Sequence, residues 1–530
     1  MAAAGIQIQF DPEWRKRLLL TVVCTALFVA LRCVALDADP PSSIPGTSSR
    51  ELFAEPAAKA HEARNYALFG AFKLNPLDNY QFWRAQSPLW VYPLAGYFTA
   101  FGVDYPQLRT FSTLYAALGL GLLLWIAADL MRPSVWVFVG LLLALDPLYF
   151  HTARVGILEP AVASWLTLSM FALLRAERDA RWLCLALVAF VLAFFTKQAA
   201  VYCLPVIGIA GGYLWLRAPG REHFIVLACG LLLGGLSAWY VTSTDYARAV
   251  AHNVNHVLVG ESLHTRHAFE GVARLVDRLL DANRRLHFLV SLPVSGPIAL
   301  VCCAGYAIRM LRRRKLPSFR ELVVLGWFVC ALGAMAVISR SGLRFWTLAV
   351  PPAALLAGLG VEHALRALEL RARPVAVRAL PLATPLLLVL LVSAGGHAHY
   401  FGHLQHSVRD AALHIEQRIG KRDATIVGQS SPAIVLGTPY KNFYVRGRFN
   451  SARARLAGLR ITHVLLLRED GVRTIIERKF KGIMLGRGPV STMVVRGDTY
   501  GLFDIEGQLI VPEKRKKKKR QLRRSRRRVR

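Results

Sequence analysis

Acidic residues are scarce in this chain. Its 530 residues hold 33 Asp and Glu against 66 Lys and Arg, a net charge of +33. Cysteine is sparse too: eight residues, at 24, 33, 184, 203, 229, 302, 303 and 330, all within apolar runs and without CxxC spacing. That pattern excludes a disulfide framework or a cysteine metal site, and the thiols read as small buried apolar groups. No G-x-S-x-G elbow is present, which excludes that class of serine hydrolase. His252, His256, His264, His267 and His287 fall in one segment. Only the first two have i, i+4 spacing, and no acidic partner completes a zinc motif. No internal repeat is evident.

What the chain has instead is apolar length. Hydrophobic residues make up 54% of it, mean hydropathy is +0.37, and apolar runs recur from Leu18 to Ala394. A membrane span needs about 20 such residues, so the chain is expected to be a polytopic membrane protein. The first run, Leu18 to Leu36, has no small-residue cleavage site after it and reads as a retained anchor. Eleven spans are expected, at 18–36, 108–129, 134–150, 160–175, 182–196, 199–216, 223–242, 288–308, 321–338, 344–360 and 379–396. Leu89 to Phe101 is too short to span and is expected to lie at the membrane surface.

The charge settles orientation. Arg15, Lys16 and Arg17 precede the first span, and the connections at 131–132, 175–181, 217–222, 309–320 and 362–378 are Arg-rich. The positive-inside rule puts these in the cytoplasm, with residues 1–17 as a cytoplasmic N-terminus. The segments 37–107, 151–159, 197–198, 243–287 and 339–343, and all beyond 396, then lie outside. Because the basic residues sit in such loops, the charge does not make the chain a nucleic-acid binder. Residues 513–530 form a basic tail, read as a disordered, solvated end or as a clamp on an anionic surface. From 401 to 512 the composition turns to that of a small extracytoplasmic α/β domain. ATIVGQSSPAIVL, THVLLLRED and MVVRGDTYGLFDI are strand-like runs, and Val408–Ile419 and Ser451–Leu459 read as helices.

Ionisable groups at span ends are costly and are usually functional or paired. Four places stand out, all on the expected outer side: Glu51, Glu55 and Glu62; the run Asp146 to Glu159; Lys197; and Arg340 with Arg344. Read singly, each suits an interfacial anchor. Together they suit group transfer: a carboxylate takes a proton from an acceptor hydroxyl, and cations hold a phosphate leaving group. A transporter would instead place charges near the bilayer midplane, often in two related halves.

The order of motifs resembles the GT-C superfamily of polyprenyl-phosphate-sugar glycosyltransferases, which includes protein O-mannosyltransferases and the lipid A aminoarabinose transferase. AHEARNYALFG at Ala60 to Gly70 is similar to the helix after that group's Asp-Glu motif. Counting back, Glu55 falls on the Asp position and Pro56 on the Glu position, a departure for which Asp37, Asp39, Glu51 or Glu62 would have to compensate. SPLWVYPLAGYFTAFGVDYPQLRTFS (Ser87 to Ser112), ARVGILEPAV (Ala153 to Val162) and Thr196-Lys197 follow in the group's order. The resemblance covers residues 15–215 and implies an α-helical GT-C transmembrane catalytic domain over 18–400, in the bacterial inner membrane, roofed by the 37–107 loop. It implies transfer of a sugar from a polyprenyl-phosphate carrier to an acceptor lipid, protein or glycan, with inversion. Glu55 and Glu159 would be catalytic; Arg154, Lys197 and Arg64 would contact donor phosphate; Asp146 and Arg344 would support them. A divalent metal is the one cofactor the resemblance leaves open, and Pro56 in place of an acid argues against it. The alternative within the same fold is a non-catalytic scaffold that binds the carrier lipid.

Overall fold

The computed structural model describes residues 14–41, 49–74, 81–217, 220–247, 297, 299–301, 304–305, 317–337, 343–369, 374–420, 423–428, 430–444, 460–467 and 488–505. The expected span at 288–308 (for the most part), the His-rich segment, Arg340, the helix at 451–459 and the basic tail lie outside these residues, as does the side chain of Glu51.

The bundle starts with α1 (Trp14–Cys33). Three helices then fill the long loop: α2 (Ser49–Phe69), α3 (Gln81–Gln86) and α4 (Pro88–Phe101). The last is a short helix where one was expected, begun by Pro88, whose missing N–H costs nothing in a first turn. Next come α5 (Tyr105–Leu130), α6 (Pro133–Leu145), α7 (Pro147–Val155), α8 (Glu159–Arg175), α9 (Trp182–Thr196), a 3₁₀ turn (Gln198–Cys203), α10 (Leu204–Arg217) and α11 (Gly220–Ser243). The bundle closes with α12 (Phe319–Val337), a second 3₁₀ turn (Leu343–Ala349), α13 (Val350–Glu369) and α14 (Val375–Gly402).

This is an integral membrane protein. Among the described residues five helices are long and apolar enough to cross a bilayer, or six if α6 and α7 are one bent span. The apolar windows of α11 and α14 are only 6% and 11% buried within the protein. Leu231, Leu232, Leu387 and Leu391 stand exposed on them, a surface suited to lipid. The expected eleven spans are therefore not all met by length and apolarity. The run expected as one span over 134–150 bends by 53° between α6 and α7. Asp146 causes the break: its Oδ1 accepts from Tyr149 N at 2.9 Å, capping α7, and Pro147 supplies no N–H to continue α6. The helices α8 and α9 have 17 and 15 residues, the first at the lower limit of length for a span and the second below it.

The C-terminal segment opens with α15 (Ser407–Ile419) and a short helix, α16 (Ser431–Ile434). The strands β1 (Thr425–Gly428), β2 (Lys441–Tyr444), β3 (His463–Leu467), β4 (Ser491–Val495) and β5 (Asp498–Asp504) form one sheet in the order β2-β1-β3-β5-β4. β1 pairs in parallel with β2 and β3, while β5 runs antiparallel between β3 and β4. The run MVVRGDTYGLFDI is thus a hairpin turning at Arg496 and Gly497, both at positive φ. Gly428 lets β1 approach β3: a Cβ there would lie 2.3 Å from the Leu465 carbonyl oxygen. One apolar core joins this unit to the loop helices, with Ala57, Ala60, Trp90 and Leu94 against Ile415, Ala433 and Leu436. A separate, larger core fills the bundle.

Candidate active site

Helix α2 carries Glu55 and Lys59 one turn apart, and the Lys59 ammonium lies 2.8 Å from Glu55 Oε1. Opposite charges at i, i+4 meet on one helix face. Pro56 sits inside α2. It leaves the carbonyl of Leu52 without its helical donor, so the helix is weakened beside Glu55.

Glu159 is the first residue of α8 and fully buried. Gly156 puts it there. In ARVGILEP this glycine adopts φ +84°, ends α7 and turns the chain into α8. A β-carbon at Gly156 would meet Leu108 Cγ at 2.7 Å, so that turn favours glycine on two counts.

Lys197 occupies the extended residue between α9 and the first 3₁₀ turn and donates to Glu159 Oε1. Arg344, in the turn before α13, pairs with Glu55 Oε2, and its Nε lies 3.5 Å from Glu159 Oε1. The Phe345 ring lies beneath both cations, 4.3 Å from Lys197 Nζ and 5.0 Å from the Arg344 guanidinium carbon. Residues from four elements thus form one chain of charge, Lys59–Glu55–Arg344–Glu159–Lys197. It holds three cations and two carboxylates, one positive charge in excess. Glu159 Oε2 is buried with no hydrogen-bond partner among the described residues. Burial pushes the Lys197 ammonium down to about 8, against the opposing pull of Glu159.

All four places singled out in the sequence meet here, through Glu55, Glu159, Lys197 and Arg344. Lys59 was not anticipated, although its spacing from Glu55 was a readable signal. Other expected residues are placed elsewhere. Arg64 donates to the backbone carbonyls of Leu436 (2.7 Å), Val435 (3.1 Å), Thr438 (2.7 Å) and Tyr440 (2.8 Å). Arg154 donates to those of Val34 (2.6 Å) and Ala35 (3.1 Å). Guanidinium groups engaged this way brace the fold, and neither reaches the cluster. Asp39 accepts from Val408 N at 2.9 Å and lies 3.6 Å from Arg109, while Asp37 pairs with Arg409. Glu62 accepts from Arg84 N at 2.5 Å, and Asp146 caps α7.

The donor set does not fit a divalent ion. Among the described residues no three His, Cys, Asp or Glu lie close enough to hold one. Arg344 lies between Glu55 and Glu159 and pairs with both.

Residues 82–243 match the family model of dolichyl-phosphate-mannose-protein mannosyltransferases. That stretch contains Glu159 and Lys197 but not Glu55 or Arg344. No curated protein matches the chain in sequence. Among solved structures, ArnT from Cupriavidus metallidurans in the apo state is 14% identical with a TM-score of 0.58, covering 92% of this chain and 98% of that one. The same protein bound to undecaprenyl phosphate is 13% identical with a TM-score of 0.55, covering 93% and 99%. The Archaeoglobus fulgidus oligosaccharyltransferase in its apo form is 11% identical with a TM-score of 0.52, covering 87% and 70%. The fold is that of the GT-C glycosyltransferases, the group that the order of motifs resembles.

Proposed function

We propose that this chain is a membrane glycosyltransferase that moves a sugar from a polyprenyl-phosphate carrier to an acceptor hydroxyl on the outer face, with inversion at the anomeric carbon. The observation that carries this reading is the convergence of Glu55, Glu159, Lys197 and Arg344 from four separate elements. A cluster with one excess positive charge suits a phosphodiester, which carries one negative charge. The same fold in ArnT holds undecaprenyl phosphate, which supports a lipid-linked donor.

In this reading Glu55 is the base. Its side chain is 22% exposed, whereas that of Glu159 is fully enclosed, so an incoming hydroxyl meets Glu55 first. The hydroxyl gives its proton to Glu55 and its oxygen bonds to the anomeric carbon. The bond from that carbon to the phosphate oxygen breaks, and polyprenyl phosphate leaves with the electron pair. Lys197 and Arg344 stabilise the charge that develops on the leaving group, and Glu159 holds both cations in place. No step runs through a metal ion.

The test is donor turnover. The protein in lipid is given a panel of polyprenyl-phosphate sugars and a crude acceptor extract, and free polyprenyl phosphate is quantified. Release by the wild type that falls about tenfold or more in Glu55→Gln or Glu159→Gln supports the reading. Release untouched by either substitution keeps the enzyme and discards these residues. Intact protein that binds carrier lipid and turns over no donor is the scaffold that the Pro56 departure raises.

A further inference from the structure

The end of the bundle away from Glu159 holds a second charged pocket, which the transfer reaction does not use. Helix α8 runs from Glu159 to Arg175, and 17 residues at 1.5 Å each separate its ends by about 25 Å, close to the thickness of the hydrocarbon core. A small cleft open to solvent lies beside Arg175, lined by Arg178, Arg320 and Asp129 with Leu130 and Phe171. Arg17 on α1 reaches Asp129 Oδ1 at 3.4 Å, Arg175 reaches Asp129 Oδ2 at 2.6 Å, and Arg320 pairs with Glu177 at 2.6 Å.

Four arginines therefore face two carboxylates. Neighbouring Asp179 and Glu222 pair with Arg181. Two donors remain open. The Arg178 guanidinium makes no hydrogen bond or ion pair among the described residues, and Arg175 Nε is buried with no partner. A buried donor without a partner is costly, so a ligand that satisfies it is stabilised there. The cleft is partly apolar: Leu130 and Phe171, both partly exposed, flank the guanidinium groups and offer a surface for hydrocarbon.

We infer that this pocket binds the phosphate of an anionic phospholipid from the leaflet opposite the proposed active site. The headgroup phosphate sits at the mouth of the cleft among Arg175, Arg178 and Arg320, and the glycerol and first acyl carbons lie against Leu130 and Phe171. The shared chemistry is a phosphate anion. The apolar wall favours the lipid over free phosphate, and the position at the end of the bundle puts it at headgroup depth.

The test uses the full chain extracted in detergent from vesicles of phosphatidylglycerol and phosphatidylcholine, with bound lipid counted by native mass spectrometry. The expected result is selective retention of phosphatidylglycerol. Arg178→Gln, at an exposed position, weakens it about fivefold, and Arg178→Gln with Arg320→Gln weakens it further. Arg217→Gln, at the end of α10, leaves it unchanged. Equal retention of both lipids, or retention indifferent to Arg178, overturns the proposal. So does binding of inorganic phosphate at this site without lipid retention.

Discussion

Lys197 is the residue on which the chemistry is most sensitive to pH. A lysine in water keeps its proton to pH 10 or so; burial beside the cluster brings this one down to about 8. It is a cation below that value and neutral above it. If it holds the donor phosphate, kcat/KM for the donor falls as pH rises through about 8. Lys197→Arg, which stays charged at any accessible pH, removes that falling limb while lowering the plateau. A wild-type profile flat across about pH 7 to 9, or the same limb in the Arg variant, would separate Lys197 from the donor. At this scale the sequence was informative about acids and less so about arginines. Glu55, Glu159, Lys197 and Arg344 were legible because a charge at the end of an apolar run has few reasons to be there. Arg64 and Arg154 were equally conspicuous. Their partners are backbone carbonyls, for Arg64 more than 370 residues away, and backbone carbonyls leave no mark in a sequence.

At the scale of elements, the turn between α7 and α8 matters most, because it aims Glu159. Gly156 combines positive φ with a close approach to Leu108. Gly156→Ala should destabilise the protein by roughly 1–3 kcal/mol, read as a lowered midpoint in thermal unfolding. Activity per folded molecule should fall with it, since Glu159 follows three residues later; a variant as stable and active as the wild type would show that the turn tolerates a β-carbon. The short helix α4 and the C-terminal helix α15 were readable from pattern. The break between α6 and α7 was not, since hydropathy runs on through it. Its signal was the pair Asp146-Pro147, a cap followed by a residue that cannot donate. The strand β2 also escaped notice: four residues, KNFY, are too few for alternation to stand out.

On the scale of the whole molecule, the C-terminal unit is tied to the loop between α1 and α5. Arg64 from α2 takes four carbonyls around α16 and β2, Tyr105 donates to Ala433 O at 2.9 Å, and Arg496 donates to Pro40 O at 2.7 Å and Pro41 O at 2.8 Å. Because α2 also carries Glu55 and Lys59, the sheet braces the helix that presents the proposed base. Arg64→Ala strands several buried carbonyls and should cost about 3 kcal/mol or more. Limited proteolysis should then cut the C-terminal unit sooner than in the wild type; unchanged resistance would mean that the apolar core alone secures it. None of these ties joins residues near in sequence, so the docking of the two parts could be read only as a domain on the same face.

The central claim is that Glu55 acts on the acceptor hydroxyl, and the rate of polyprenyl-phosphate release at saturating donor tests it most directly. Glu62 is the internal control: it lies on the same helix about two turns on, and its Oε2 accepts from the Arg84 backbone. Glu55→Gln should lower kcat by about a hundredfold or more, with Glu62→Gln close to wild type. Equal losses in the two variants, or none in Glu55→Gln, would contradict the account.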